Sequence, residues 1–269
     1  MLPLLTMLLL LKMQCLCIKL FRHLLCALFS IIFVAHAVAA ETVLTVGDSI
    51  TSGLKLNASR TVWECPPDGV ITSSYYVCDG EDAENRGGYQ PSTRTKIAAL
   101  GVTADLYNWG FAGEGTRSIL NRVSQAMNAR AADYVFIMAG TNDLGTVSRG
   151  TIVRNLQYMI DAVCESGLTP VVGTITPRFD GASYNFSIQK INEELREYAE
   201  SLNVPVAENY DALIGNFGAY HSGDYLHIND AGDEVMATQW ANAFQTSGGA
   251  CGRGIPAVTP IMQLLLLDE

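Results

Sequence analysis

Three side chains of this sequence have the types and spacing for nucleophilic acyl transfer. Ser49 sits in a glycine-containing turn, G-D-S-I, and nearer the C-terminus the segment G-D-Y-L-H places Asp224 three residues ahead of His227. A serine hydroxyl is a weak nucleophile until a base takes its proton, and a neutral imidazole suits that task near pH 7. An acid three residues before His227 can lie beside the ring in a tight turn, accept from Nδ1 and aim Nε2 at the serine. Beyond an apolar leader only His221 and His227 remain, and His221 has no acid at that spacing, so it reads as a solvated loop residue. The negative oxygen of a tetrahedral intermediate also needs donors. The backbone N–H groups of Ser49 and Gly110 and the side-chain amide of Asn142 are candidates, each worth about 3 to 4 kcal/mol.

Each of these signals is weak alone. G-D-S is a short motif, Asn142 and Asp143 have the composition of an Asx turn, and Asp224 reads equally as a loop carboxylate. The glycines from Gly110 to Gly115 follow a strand and open a helix, a place where phosphate is often held. Their order is G-x-x-G-x-G rather than the dinucleotide fingerprint. Their joint placement is what gives the serine reading its weight.

That placement comes from the elements. Residues 43–46, 106–109, 134–138, 171–175 and 204–207 are short apolar runs, mostly β-branched or aromatic, and predict five buried strands. Between them apolar residues recur at helical spacing: Ile119, Val123 and Met127; Ile152, Leu156, Met159, Ile160 and Val163; Ile188, Ile191, Leu195, Tyr198 and Leu202. A last helix is expected over residues 230–244, with Asn229 or Asp230 as its N-cap. Alternating strands and helices imply an α/β fold with a parallel sheet covered on both faces. Ligands of such sheets bind beyond the carboxyl ends of the strands. There the sequence places G-D-S-I-T-S-G after the first strand, N-W-G-F-A-G-E-G after the second, G-T-N-D after the third and D-Y-L-H after the fifth.

The first forty of the 269 residues differ from the rest: they carry Lys12, Lys19 and Arg22, no acid, two apolar runs and a small-residue end, Ala35 to Ala40. This is export-signal composition, with cleavage expected after Ala37 or Ala39. The expected organisation is a signal peptide over 1–39, one domain over 40–248 and a C-terminal tail over 249–269. Loss of the leader leaves 14 basic against 27 acidic residues, about −13. Such a charge disfavours nucleic acid and anionic membranes as partners. Cys65, Cys78, Cys164 and Cys251 remain, an even set that suggests disulfides in an exported protein. Three pairings exist; Cys65 and Cys78 bracket a Pro-, Gly- and Tyr-containing loop, which favours pairing them and leaves Cys164 with Cys251. No C-x-x-C occurs, and with two mature histidines a zinc site is disfavoured, so neither metal nor cofactor is expected.

The set G-D-S-I with Ser49, N-W-G-F-A-G with Gly110, G-T-N-D with Asn142 and D-Y-L-H with Asp224 and His227, in this order, resembles the SGNH hydrolases, also called GDSL esterases and lipases. The resemblance spans residues 43–244. It implies a three-layer flavodoxin-like fold with a five-stranded parallel sheet, Ser49 as nucleophile, Gly110 and Asn142 in the oxyanion hole, and Asp224 and His227 completing a triad. Tyr225 and Ile228 stand where the family often has Gly and Pro.

The expected product of this reading is a secreted or periplasmic serine esterase without a stable membrane anchor after signal cleavage. The segment R-G-G-Y-Q, from Arg86 to Gln90, resembles an element of carbohydrate-deacetylating members, and Tyr75, Tyr76 and Tyr89 have the ring type that stacks on sugars. Short acyl esters of carbohydrate, such as acetylated polysaccharide, are therefore the expected substrates. The competing enzyme readings are a lipase, lysophospholipase or arylesterase for longer acyl chains. A catalytically silent carbohydrate-binding domain is the reading from another class, and the presence of Ser49, Asn142 and His227 together argues against it.

Overall fold

The computed structural model describes residues 39–56, 63–64, 83–84, 88–181 and 184–252. The expected leader, Cys65 and Cys78, Tyr75 and Tyr76, Arg86 and the tail beyond residue 252 lie outside them.

Five strands build the sheet: β1 (Glu41–Gly47), β5 (Ala104–Gly110), β6 (Tyr134–Met138), β7 (Thr169–Gly173) and β8 (Val206–Ala207). They lie in the order β5-β1-β6-β7-β8, and every neighbouring pair among them is parallel. This is the flavodoxin-like order, as expected. A two-residue strand β4 (Ala83–Glu84) adds antiparallel to the outer edge of β5, and β2 (Lys55–Leu56) pairs with β3 (Trp63–Glu64) in a separate ribbon.

The strands are buried on both sides, which explains their continuous apolar runs. On one face Leu44, Val46, Val135 and Ile137 meet α3 (Thr116–Ala129), α4 (Arg149–Glu165) and α5 (Tyr184–Ser201) through residues such as Val123, Leu156 and Ile191. On the other face Val43, Phe136 and Met138 meet α2 (Gln90–Ala99) and α8 (Asp230–Gln245). Trp240 of α8 is the largest fully buried side chain there, stacked on Phe136 at 4.9 Å and Tyr89 at 5.4 Å. Tyr89 is thus core rather than a surface ring for sugar. Its aromatic area is more stably placed against Trp240 than against water.

The last helix starts as expected: Asn229 caps it, its side chain accepting from Gly232 N at 3.0 Å. Cys164, near the end of α4, is disulfide-bonded to Cys251 across 87 residues, with 5.7 Å between Cα atoms. Cys251 N–H also donates to Leu202 O at 2.9 Å, so the folded unit runs past residue 248 into what composition assigns to the tail. Among the described residues no helix is long and apolar enough to cross a membrane.

Candidate active site

The site lies at the carboxyl edge of the sheet. Gly47 and Gly110 end the adjacent strands β1 and β5 and are register partners. A Cβ at Gly47 would strike Met138 O and the Thr51 side chain, and one at Gly110 would strike the backbone of Thr51 and Ser52. Only glycine at both positions lets the backbone fold straight back over the strand ends as the short helix α1 (Ser49–Ser52). Asp48 caps α1, its carboxylate accepting from Ile50 N at 3.0 Å, and Ser49 is its first residue.

Ser49 is 3% exposed, and its Oγ lies 2.8 Å from His227 Nε2. His227 Nδ1 lies 2.6 Å from Asp224 Oδ2. Asp224 Oδ1 accepts from the backbone N–H of His227 at 3.0 Å and Leu226 at 3.2 Å, so one carboxylate both shapes the turn and faces the ring. Burial pushes the Asp224 carboxyl up, but the hydrogen bond and charge of His227 and the two backbone donors together hold it below the ordinary carboxylate range. Ser49 and His227 stand almost 180 residues apart in sequence, and the fold brings them and Asp224 into one hydrogen-bonded line.

The turns that flank Ser49 are tied to each other. Asn142 stands in the 3-10 turn Thr141–Asp143, and its Nδ2 donates to Glu114 O at 2.9 Å. Asp143 accepts from Thr116 N at 2.8 Å and Thr116 Oγ1 at 3.0 Å, which satisfies the start of α3. Asn142 is therefore beside the turn at Gly113 and Glu114. Gly110 does not fit its expected role: its N–H already donates to Asn108 Oδ1 at 2.9 Å at the end of the strand. Gly113, three residues on, has φ +81° and open space where a Cβ would stand, and it directly precedes Glu114, whose carbonyl accepts from Asn142.

Two neighbours escape sequence reading. The loop after β7 bridges the two sides of the site: Arg178 Nη1 donates to Thr141 O at 2.6 Å, and Phe179 N donates to Tyr225 O at 2.8 Å. The carboxyl ends of the strands are where to search, and this segment, T-P-R-F-D, follows the fourth strand. The second is His221, which is 9% exposed rather than solvated, with Nδ1 accepting from Gly223 N at 2.9 Å and Tyr225 N at 3.3 Å. Asp48, fully enclosed, has its carboxyl raised to about 6 by burial, against the lowering effects of the Ile50 N–H and the charges of His227 and Arg178.

The model of the GDSL-like Lipase/Acylhydrolase family matches residues 45–235, from the middle of β1 into α8. The chain belongs to this family. The GDSL-like fold is shared with solved structures of low identity. A lipase/acylhydrolase from Enterococcus faecalis is 20% identical, with 76% of this chain and 95% of that chain covered and a TM-score of 0.58. An acetylxylan esterase from Geobacillus stearothermophilus is 17% identical, with 76% and 93% covered and a TM-score of 0.57. An alpha/beta hydrolase enzyme from the metagenome of Lake Arreo, Spain, is 20% identical, with 77% and 96% covered and a TM-score of 0.57. No curated protein matches the sequence. Family membership makes the GDSL-like protein a carboxylic ester hydrolase. Among the described residues no group of three or more His, Cys, Asp or Glu is placed to hold a metal ion.

Proposed function

We propose that this protein is an exported serine esterase that removes short acyl groups, acetyl above all, from carbohydrate through Ser49, His227 and Asp224. The observation that carries the reading is the unbroken line Ser49 Oγ, His227 Nε2, His227 Nδ1, Asp224 Oδ2, with spacings of 2.8 and 2.6 Å. In this mechanism Ser49 Oγ attacks the ester carbonyl as its proton passes to His227 Nε2. Asp224 holds Nδ1–H and stabilises the imidazolium. The carbonyl oxygen becomes negative and is met by the Ser49 N–H at the start of α1, the second Nδ2–H of Asn142, whose other hydrogen is donated to Glu114 O, and the Gly113 N–H. Collapse expels the sugar hydroxyl with the proton from His227, and water repeats the sequence to release the acid and free Ser49.

The carbohydrate assignment has support from the solved relative that is an acetylxylan esterase. Export has support from the composition of residues 1–39, whose loss leaves a net charge of about −13. The test is hydrolysis of p-nitrophenyl esters from acetate to palmitate, followed by acetylated xylan and pectin, with Ser49→Ala alongside. Activity confined to acetate and propionate and lost in the variant is expected. A maximum at long acyl lengths would replace the carbohydrate reading with a lipase, and equal rates with and without Ser49 would remove the triad.

A further inference from the structure

We propose that His221 is a positioning residue for the acid–base turn: a neutral imidazole whose Nδ1 acts as an acceptor and fixes the loop that carries Asp224 and His227. The inference rests on the assignment of those two residues as the acid–base pair.

The loop from His221 to Ile228 is short and conformationally demanding. Gly223 has φ +118°, and Tyr225, between Asp224 and His227, has φ +64°. Glycine adopts the left-handed region freely, whereas a tyrosine there clashes with its own backbone. Some contact has to hold it. The His221 ring does so in two ways. Its Nδ1 accepts from Gly223 N at 2.9 Å and Tyr225 N at 3.3 Å, and its face stacks on the Tyr225 ring at 4.4 Å. On the other side Phe217 of α7 (Phe217–Tyr220) stacks on His221 at 5.5 Å and pins the ring to the domain. Ser222 N–H donates to His227 O at 2.7 Å and His221 bridges to Ile228, closing the loop on itself.

A ring nitrogen that accepts from two N–H groups carries no proton, so His221 is the Nε2–H tautomer. His227 needs the opposite tautomer, with Nδ1–H on Asp224 and Nε2 facing the serine. Two histidines six residues apart thus serve one turn in opposite forms. Through Gly223 and Tyr225, His221 acts on the residues directly flanking Asp224, so it sets where that carboxylate meets the His227 ring without touching substrate.

The test compares His221→Phe, which keeps the ring stacks but cannot accept, with His221→Asn, whose Oδ1 stands where Nδ1 stood. On p-nitrophenyl acetate, His221→Phe is expected to lower kcat about 10- to 100-fold with KM within about twofold, and His221→Asn to recover most of the loss. The low-field proton resonance of His227 Nδ1–H should weaken in His221→Phe and return in His221→Asn. Ring 15N spectra of the wild type need no variant and should show His221 Nδ1 unprotonated at about pH 7.5, above the ordinary imidazole range. Wild-type kcat and an unchanged low-field resonance in folded His221→Phe would overturn the proposal, as would a proton on His221 Nδ1. If no Ser49-dependent hydrolysis exists at all, the esterase reading fails separately, because both spectroscopic readouts work without turnover.

Discussion

The residues around Ser49 make opposite demands on their carboxylates. Asp224 is held in its charged form by four interactions, whereas Asp48 is enclosed with one backbone donor and has its carboxyl raised from 3.8 to about 6. The folded state therefore binds a proton at Asp48 that the unfolded state has released. Between pH 3.8 and about 6 stability falls as pH rises, and above that window the loss is complete at about 3 kcal/mol. Asp48→Asn keeps an acceptor for Ile50 N and removes the charge. Its urea midpoint should exceed the wild type's at about pH 8 and converge with it near about pH 4; equal midpoints at both would contradict the burial argument. For chemistry, Ser49→Ala and His227→Ala should each lower kcat by about 10⁴ or more, while Asn142→Ala, which loses one of several donors, should lose about 10² to 10³. Single-turnover rates on p-nitrophenyl acetate read both. Ser49, Asp224, His227 and Asn142 are legible in the sequence because each carries its chemistry in its own side chain. Gly110 is not, because whether a backbone N–H is free depends on where the strand ends, and β5 runs to Gly110 and uses it on Asn108. His221 escapes for a similar reason: nothing in its neighbours by sequence says that its ring folds inward onto Tyr225.

At the scale of elements, the strands and the longer helices follow from periodicity, and α8 begins at the cap its sequence advertises. The strand β8 is shorter than its apolar run because only Val206 and Ala207 pair with β7; Val204 is buried ahead of it without joining the ladder. Other short elements are invisible to pattern: α6 (Asn209–Ile214), α7 and the two-residue strands β2, β3 and β4 have too few residues to show a period. The turn around Tyr225 supplies a further prediction. Tyr225→Gly and Tyr225→Ala both lose the stack on His221, but only glycine is relieved of the left-handed backbone. Tyr225→Ala should therefore unfold at a lower denaturant concentration, by about 1 kcal/mol, in equilibrium urea titrations. The opposite order would mean that φ +64° is not maintained in solution.

For the whole molecule, the disulfide closes a long loop of the domain. In the chain-entropy model a bridge across 87 residues is worth about 4 to 5 kcal/mol, so Cys251→Ser should lower unfolding stability by up to that amount while leaving kcat unchanged, since Cys164 lies at the far end of α4 from the site. A chelator should leave hydrolysis intact; loss of activity with EDTA that added metal restores would contradict the triad mechanism as written.

The disulfide also fixes where Cys251 lies in the domain. Helices return antiparallel to the strands, so α4 runs from the carboxyl edge, where Ser49 stands, to the opposite edge, where Cys164 holds Cys251. Strand β1 enters from that same opposite edge at Glu41. An affinity tag, a fluorophore or a bead joined directly to Gly252, in place of the residues that follow it, would be anchored behind the sheet. An ester hydrolase tethered this way would present the edge that carries Ser49 outward, away from its support.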